Sequence, residues 1–460
     1  MRKRILLTLI LACAGLSSMA QTSQKPSQIP FDGIDQSWQN GSDRRDSAVL
    51  AGRYFTGSIM VDANATYSGA NPIDHTVVGS TALARDNEME VSCAAIGGDF
   101  FYNTDNGGAR GRIMTQFGTR STVVPRNDYS PYRGQYDLAD VYRYISEAYA
   151  GYHFNVWHGI NVDGGMFMSY IGLNSYYQVE NWEYQASYTS DNTPWFFNGI
   201  RTQIFPTNHL KVEIWLINGW QSYGTFNDMP GFGGNITWVP NDNMKLLTND
   251  YYGSDVAGDF GRHRFHSDNS WLVRYYSNPK STGVTKCAFS LTGDIGEETG
   301  DGVNGFTNGG AAKGPAQYFA SAMIYNRLWF NHNKLAWCIG GGWMTNPGRY
   351  LVLEPTGVAS DLPNPYNPTA PPVNPAAVFT QNPGDQFTGW DASTNLSWMP
   401  NQSIEFRIEL VHRESNVPYF AGPGGVTSPT GYTTTPVPAN WMPDLVKSEN
   451  RVIIAALFRL

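Results

Sequence analysis

Charge is scarce in this chain. Only 15% of its 460 residues are Asp, Glu, Lys or Arg, against about 25% in soluble domains. Long apolar runs are scarcer still. Apart from Ile5–Gly15, no stretch approaches the roughly 20 apolar residues that a membrane-crossing helix needs, which excludes a helical membrane protein. A basic excess is also missing. The net charge is −8 and the pI near 5.5, so a nucleic-acid partner is not expected. Histidine is limited to 8 residues and cysteine to 4. No phosphate loop ending in Gly-Lys-Ser/Thr occurs, and no Gly-x-Ser-x-Gly stands in a strand-to-helix context. An enzyme is therefore not expected, and neither a cofactor nor a metal.

What is abundant is aromatic and glycine. The chain holds 14 Trp, 26 Tyr, 23 Phe and 48 Gly, with a mean hydropathy of −0.36. So many aromatics with so few charges exclude a disordered chain. Arg2, Lys3 and Arg4, the apolar Ile5–Gly15 and the small-x-small Ser18-Met19-Ala20 read as a secretory signal peptide over 1–20. Cys13 as a lipidated residue is the rival reading, and Leu11 before Ala12 fits it poorly. Removing residues 1–20 takes away three positive charges and lowers the net charge from −8 to −11. The remaining Cys93, Cys287 and Cys338 are odd in number and match neither a disulfide framework nor a zinc spacing. They read as small apolar residues in strands. Residues 21–52, rich in Gln, Ser, Pro, Asp and Gly, read as a mobile periplasmic leader.

From residue 53 to the end, apolar spacing of the helical kind is rare and period-2 alternation recurs. In Ile404–His412, Ile404, Phe406, Ile408 and Leu410 face one way, while Glu405, Arg407 and Glu409 face the other. About sixteen such segments follow one another, with fourteen or eighteen as alternatives. Short links fall near 103–108, 155–156, 207–208, 241–242, 278–281, 331–333 and 401–402. Long ones fall near 70–88, 123–139, 172–193, 221–227, 256–262, 295–315, 347–385 and 415–446. A meander whose every second connection is short is what an up-and-down transmembrane β-barrel requires. This parity puts both termini on the short-turn, periplasmic side. Trp238-Val-Pro-Asn, Trp398-Met-Pro-Asn and Phe205-Pro-Thr-Asn mark three of the turns. There Pro cannot donate to a ladder and Asn tolerates left-handed geometry. The aromatic before each is expected in an interfacial girdle. Val452, Ile454, Ala456, Phe458 and Leu460 share a face in a closing strand. Only closed sheets or helices span lipid, because backbone groups find no water there.

Several stretches resemble the putative β-barrel porin family of Bacteroidetes-type bacteria. They are Gly57-Ser-Ile-Met-Val-Asp-Ala-Asn-Ala-Thr-Tyr67, Glu147-Ala-Tyr-Ala-Gly-Tyr152, Asp163-Gly-Gly-Met-Phe-Met-Ser-Tyr-Ile-Gly172 and Leu216-Ile-Asn-Gly-Trp220. The resemblance spans most of residues 53–460 through scattered short patterns. The chain departs from it in ending on Leu460 rather than on a bulky aromatic. The resemblance implies an all-β barrel in the outer membrane of a Gram-negative bacterium, with pore activity. Its implied partners are outer-membrane lipid and lipopolysaccharide, the barrel-assembly machinery and small hydrophilic solutes. An oligomer is left open.

If the apolar faces meet lipid, the opposite faces line the lumen. They carry Arg112, Arg120, Arg143, Arg201, Lys211, Arg274, Arg327, Arg407 and Arg413 against Glu147, Glu213, Glu405 and Glu409, with Asp163. Rings of such charges set which ions pass, and this set leans cationic, hence a mild anion preference. Cross-strand Arg–Glu pairing is the plainer, compatible role. The 347–385 loop is expected to fold inwards as a constriction. Asp294, Glu297, Glu298 and Asp301 read as a solvated acidic loop rather than a calcium site. His263 and His266 fall on opposite strand faces, which argues against a shared metal. A plugged scaffold or adhesin acting through its long loops is the alternative function. A soluble secreted β protein that binds carbohydrate through Trp and Tyr is a further one.

Overall fold

A computed structural model describes residues 30–41, 49–104, 106–125, 128, 138–256, 258–301, 303, 305–306, 316–348, 350, 386–432, 434–438 and 440–460. The signal-peptide reading of 1–20 and nearly all of the 347–385 loop lie outside them.

Sixteen strands close into one antiparallel barrel in sequence order. They are β1 (Phe55–Ser68), β2 (Glu88–Thr104), β3 (Gly107–Thr115), β4 (Ile145–Phe154), β5 (Ile160–Met168), β6 (Phe196–Thr207), β7 (Leu210–Ile217) and β8 (Gly231–Asn241). The second half comprises β9 (Met244–Gly253), β10 (His263–Ser277), β11 (Val284–Thr299), β12 (Tyr318–Phe330), β13 (Leu335–Asn346), β14 (Phe387–Asn401), β15 (Ile404–Ser415) and β16 (Ser448–Arg459). β16 pairs with β1, Val61 opposite Phe458 and Tyr67 opposite Val452, and so seals the ring. The final residue takes part: Leu460 N–H donates to the Ile59 carbonyl at 2.9 Å. Closure removes the sheet edges that lipid could not satisfy.

Alternation decides which side each residue takes. On β15, Glu405, Arg407, Glu409 and Arg413 are buried inside, while Phe406, Ile408 and Leu410 stand exposed outside. Short turns gather at one end with the N- and C-terminal strand ends, and the long connections at the other, as the link lengths predict. Each Pro-Asn motif breaks the ladder in the same way, with register shifts between Trp238/Asn241, Trp398/Asn401 and Ile204/Thr207. The missing proline N–H accounts for the skip. Trp238 and Trp398 point outwards and are exposed, as girdle residues should be. Phe205 does not. It is buried and meets the ring of Phe31 edge-on at 6.2 Å. The described cysteines are buried and free, on β2, β11 and β13.

Two expected boundaries move. The strand read as 109–122 stops at Thr115, because Gly118, at φ +108°, redirects the chain into a short helix over Arg120–Val123. A Cβ at Gly118 would lie 2.5 Å from the Val91 carbonyl oxygen, so that turn demands glycine. The next strand begins at Ile145 rather than near 140, after a second short helix over Leu138–Tyr142. The last long loop adds a two-stranded sheet, Phe420–Ala421 with Leu445–Val446.

Placing an arginine on the lipid face tests the assignment of sides. Ile408→Arg is expected to destabilise the barrel in lipid vesicles by about 2–4 kcal/mol, as cations at mid-membrane do. A denaturant titration would read it, and an unchanged midpoint would contradict the outward placement of Ile408.

Candidate functional site

The inner face of the barrel carries its polar chemistry, and two segments divide it. The third long connection, 169–195, turns into the lumen instead of covering the rim. Its Tyr176, Tyr177, Trp182, Tyr184 and Tyr188 are buried. Charged side chains of the wall hold its main chain. Glu409 accepts from the backbone N–H groups of Tyr184 and Gln185, both at 2.7 Å. Arg407 donates to the Asn181 carbonyl at 2.7 Å and Arg327 to the Trp182 carbonyl at 2.6 Å. Asp391 accepts from Tyr188 N–H and the Ser187 hydroxyl. Arg413 donates to the Ala186 carbonyl and pairs with Asp191 at 2.6 Å. A buried main chain must find such partners, since no bulk water supplies them.

The N-terminal residues 30–41 pack into the short-turn mouth beneath this segment. Phe31 and Asp32 bond Asn208 in the β6–β7 turn. The fully buried Trp38 donates to the Asp242 carbonyl at 2.8 Å in the β8–β9 turn. Asp35 pairs with Arg274, and Arg327 donates to the Gly41 carbonyl at 3.0 Å. The two insertions meet where Trp182 donates to the Trp38 carbonyl at 3.3 Å. Residues 30–41 are therefore packed, unlike the mobile leader expected over 21–52, while the described residues 49–52 are exposed. Burial pushes the Asp35 carboxyl up, but bonds from Ser37 and the Arg274 charge outweigh it and hold the group down at about 2.

Insertion fills one side of the lumen more than the other. Arg327, Arg407, Arg413 and Arg451, on β12, β15 and β16, have wholly buried side chains. On β3, β6 and β7, Arg110 keeps 24% side-chain exposure, Lys211 23%, Arg112 16% and Arg201 12%. These cations stand over carboxylates that water barely reaches, Asp163 at 0% and Glu213 at 3%. Arg112 bridges Asp99 at 2.7 Å and Glu147 at 2.6 Å, with Asp99 itself well exposed. Arg201 bonds Asp163 at 2.8 Å and lies over the rings of Phe167, Tyr149 and Trp215 at 4.5, 4.8 and 5.4 Å. Ion pairs here serve the wall, and the exposed faces of the cations are left for the aqueous side.

Of the residues expected to line the lumen, Arg112, Glu147, Arg201, Lys211, Glu213, Arg274, Arg327, Glu405, Arg407, Glu409 and Arg413 do sit on the inner face of strands. Arg120 and Arg143 do not. Arg120 is buried in the lumen from the loop helix. Arg143 lies in the turn before β4, partly exposed and paired with Asp140. Pairing is cross-strand at Arg112 and Arg201 but runs along one strand at Lys211–Glu213, Glu405–Arg407 and Glu449–Arg451. Arg110, two residues before Arg112, was legible in the same alternation and was missed. The solvated-loop reading fails for Asp294 and Glu298. Both are buried on β11, Asp294 against His266 and Glu298 against Arg262 and Arg264. His266 faces in while His263 stacks on the exposed Tyr252, so the two do diverge. Among the described residues no group of three or more His, Cys, Asp or Glu is placed to hold a metal. The inward fold expected of 347–385 falls outside the described residues; among the described connections 169–195 enters the lumen, and the β1–β2 connection also gives its Val78 and Gly79 carbonyls to Arg451 and Arg413.

The profile of the family described as putative beta-barrel porin-2, OmpL-like, matches residues 54–437. No curated protein matches the chain. Among solved structures, the anion-selective porin from Comamonas acidovorans aligns with a TM-score of 0.50 at 8% identity, over 88% of this chain and 99% of that one. OmpT of Vibrio cholerae aligns at 0.49 and 9% identity over 88% and 99%. The outer membrane channel DcaP of Acinetobacter baumannii aligns at 0.49 and 10% identity over 90% and 100%. At such identities the likeness is one of fold alone.

Removing the carboxylate that caps the inserted segment is expected to cost more than a surface change. Glu409→Ala strands two backbone N–H groups and should destabilise the barrel by about 3 kcal/mol; a loss near zero in urea unfolding would contradict the anchoring. The Asp35 pair gives a pH test. A carboxyl held below its ordinary value stabilises docking above about pH 4, and that contribution fades as pH falls towards about 2. Protease cleavage within 30–41 should therefore be flat at neutral pH and rise only in strong acid. A rise between pH 6 and 5 would assign docking to another group.

Proposed function

The chain belongs to the outer-membrane family of putative beta-barrel porin-2, OmpL-like proteins, and we propose that it is a passive diffusion channel for small hydrophilic solutes with a mild preference for anions. On this reading residues 1–20 are an export signal, and both mature termini lie on the periplasmic side with the short turns. One observation carries the proposal. Water-accessible Arg110, Arg112, Arg201 and Lys211 line one side of the lumen while the carboxylates beneath Arg201 and Lys211 are shielded. A permeating anion meets guanidinium and ammonium edges, whereas a cation meets mainly Asp99 and Glu147. Low-dielectric walls strengthen such a field. The segment 169–195 narrows the path, and hydrated solutes pass along the β3–β7 side.

The filled β12–β16 side favours one other reading, that of a non-conducting scaffold whose long loops bind partners. The same experiment separates the two. Detergent-refolded protein in a planar bilayer is expected to give discrete conductance steps with a reversal potential favouring chloride over potassium. Arg112→Gln combined with Lys211→Gln should move that ratio towards unity, while Arg407→Gln, wholly buried, should leave it in place. A silent, heat-resistant barrel would establish the scaffold instead.

A further inference from the structure

Among the described residues, one buried arginine has all three guanidinium nitrogens without a hydrogen-bond partner, and it is Arg120. Its exposure is 1%. Elsewhere in the lumen buried arginines are tied to carboxylates or carbonyls, as Arg407 and Arg413 are. An arginine offers five N–H donors, and burying them unpaired is costly unless something occupies the space before them. Aromatic faces fix where the group points. Tyr176, from the inserted segment, lies 4.3 Å from the guanidinium carbon, and Trp195 lies 5.6 Å away. The Trp195 indole N–H is itself buried and unbonded.

Acceptors tied to the same aromatic cluster are likewise unfilled. Asp62, on the inner face of β1, is 5% exposed. Its Oδ1 accepts from the Tyr184 hydroxyl at 2.9 Å, and its Oδ2 has no partner. Glu90, opposite Asn64 on β2, accepts from Asn64 and the Ala84 N–H at Oε1 and has Oε2 free. Arg120 and Asp62 meet through the same ring cluster, Arg120 lying over Tyr176 and Asp62 accepting from Tyr184, and the two form no ion pair. Tyr176, Trp195, Tyr184 and Cys93, which lies opposite Asp62, pack in one buried cluster, so donors and acceptors border the same region of the lumen.

We propose that Arg120, Trp195, Asp62 and Glu90 form a binding site for a small zwitterion of the α-amino acid type. The carboxylate meets the Arg120 guanidinium and the Trp195 N–H. The ammonium, with three donors, meets Asp62 Oδ2 and Glu90 Oε2. Either half alone would leave the opposite charge unsatisfied, which is why a zwitterion fits better than a simple anion. This rests on the channel reading above, for which it names one solute class.

The test uses full-length refolded protein in detergent, with its fold confirmed by heat-modifiable migration. Titration calorimetry with glycine is expected to show saturable binding at one site. Acetate and methylammonium should each bind at least about ten-fold more weakly, the worth of one lost charge-assisted bond or more. Arg120→Gln and Asp62→Asn should each weaken glycine binding by a similar factor. If either fails to fold, Trp195→Phe, which removes the N–H while keeping an aromatic ring, should still weaken it measurably. Absence of saturable binding to the folded wild-type protein would overturn the proposal in favour of water filling the pocket. Acetate binding as tightly as glycine would overturn it in favour of a plain anion site, and binding unmoved by these substitutions would place any site elsewhere. Bilayer conductance of the same preparation is read separately. Conductance without glycine binding removes only the site, and glycine binding without conductance removes the channel reading.

Discussion

A main chain placed inside a closed barrel has lost its water, and every N–H and C=O it carries must be answered by the wall. This constraint organises the molecule. The sheet answers its own backbone by closing, and the inserted segment 169–195 is answered by side chains. Glu409 takes two consecutive N–H groups, while Arg407, Arg327 and Arg413 take carbonyls one after another along the segment. The charged inner face of β15 is thus first of all a receptor for the protein's own chain. Arginine suits the task because its fork reaches a carbonyl and a carboxylate at once, as Arg407 does with Asn181 and Glu405.

Function follows from where that receptor is absent. The β3–β7 wall also takes part of the inserted chain, Tyr177 on Ser146 and Tyr170 on Trp215, yet its cations Arg110, Arg112, Arg201 and Lys211 keep an exposed edge. Their carboxylate partners lie partly beneath them, Asp163 serving both Arg110 and Arg201. Stacked rings under Arg201 fix its guanidinium without spending its exposed face. The N-terminal segment 30–41 completes the division at the short-turn mouth through Trp38 and Asp35. On the proposed reading, one barrel holds a packed core and a charged passage side by side.

Much of this was legible in the sequence, for reasons tied to period and parity. Period-2 alternation places Ile408 outside and Arg407 inside without ambiguity, because a strand has only two faces. Alternating link lengths fix the topology, and proline fixes the ladder skips at 240 and 400. What failed was whatever depends on tertiary return of a loop. Nothing in local spacing shows that 169–195 turns inwards, although Tyr176, Tyr177, Trp182, Tyr184, Tyr188 and Trp195 make it unusually aromatic for a rim loop. Arg120 alternates in register with Arg112, but Gly118 ends the strand before it. Phe205 shares the girdle motif, yet its parity with Arg201 turns it inwards to meet Phe31. Asp294 and Glu298 look like loop acids because their run is polar, and the strand β11 simply extends past them.

The division of the lumen into an aqueous side and a packed side is the central claim, and thiol accessibility measures it most directly. The native cysteines are buried and supply a quiet background. Lys211→Cys on the aqueous side and Ser321→Cys on the packed side would be exposed, in reconstituted vesicles, to a charged, membrane-impermeant thiol reagent. The account predicts that the first reacts faster by at least about ten-fold, since access governs the rate. Equal rates, whether both fast or both slow, would contradict it.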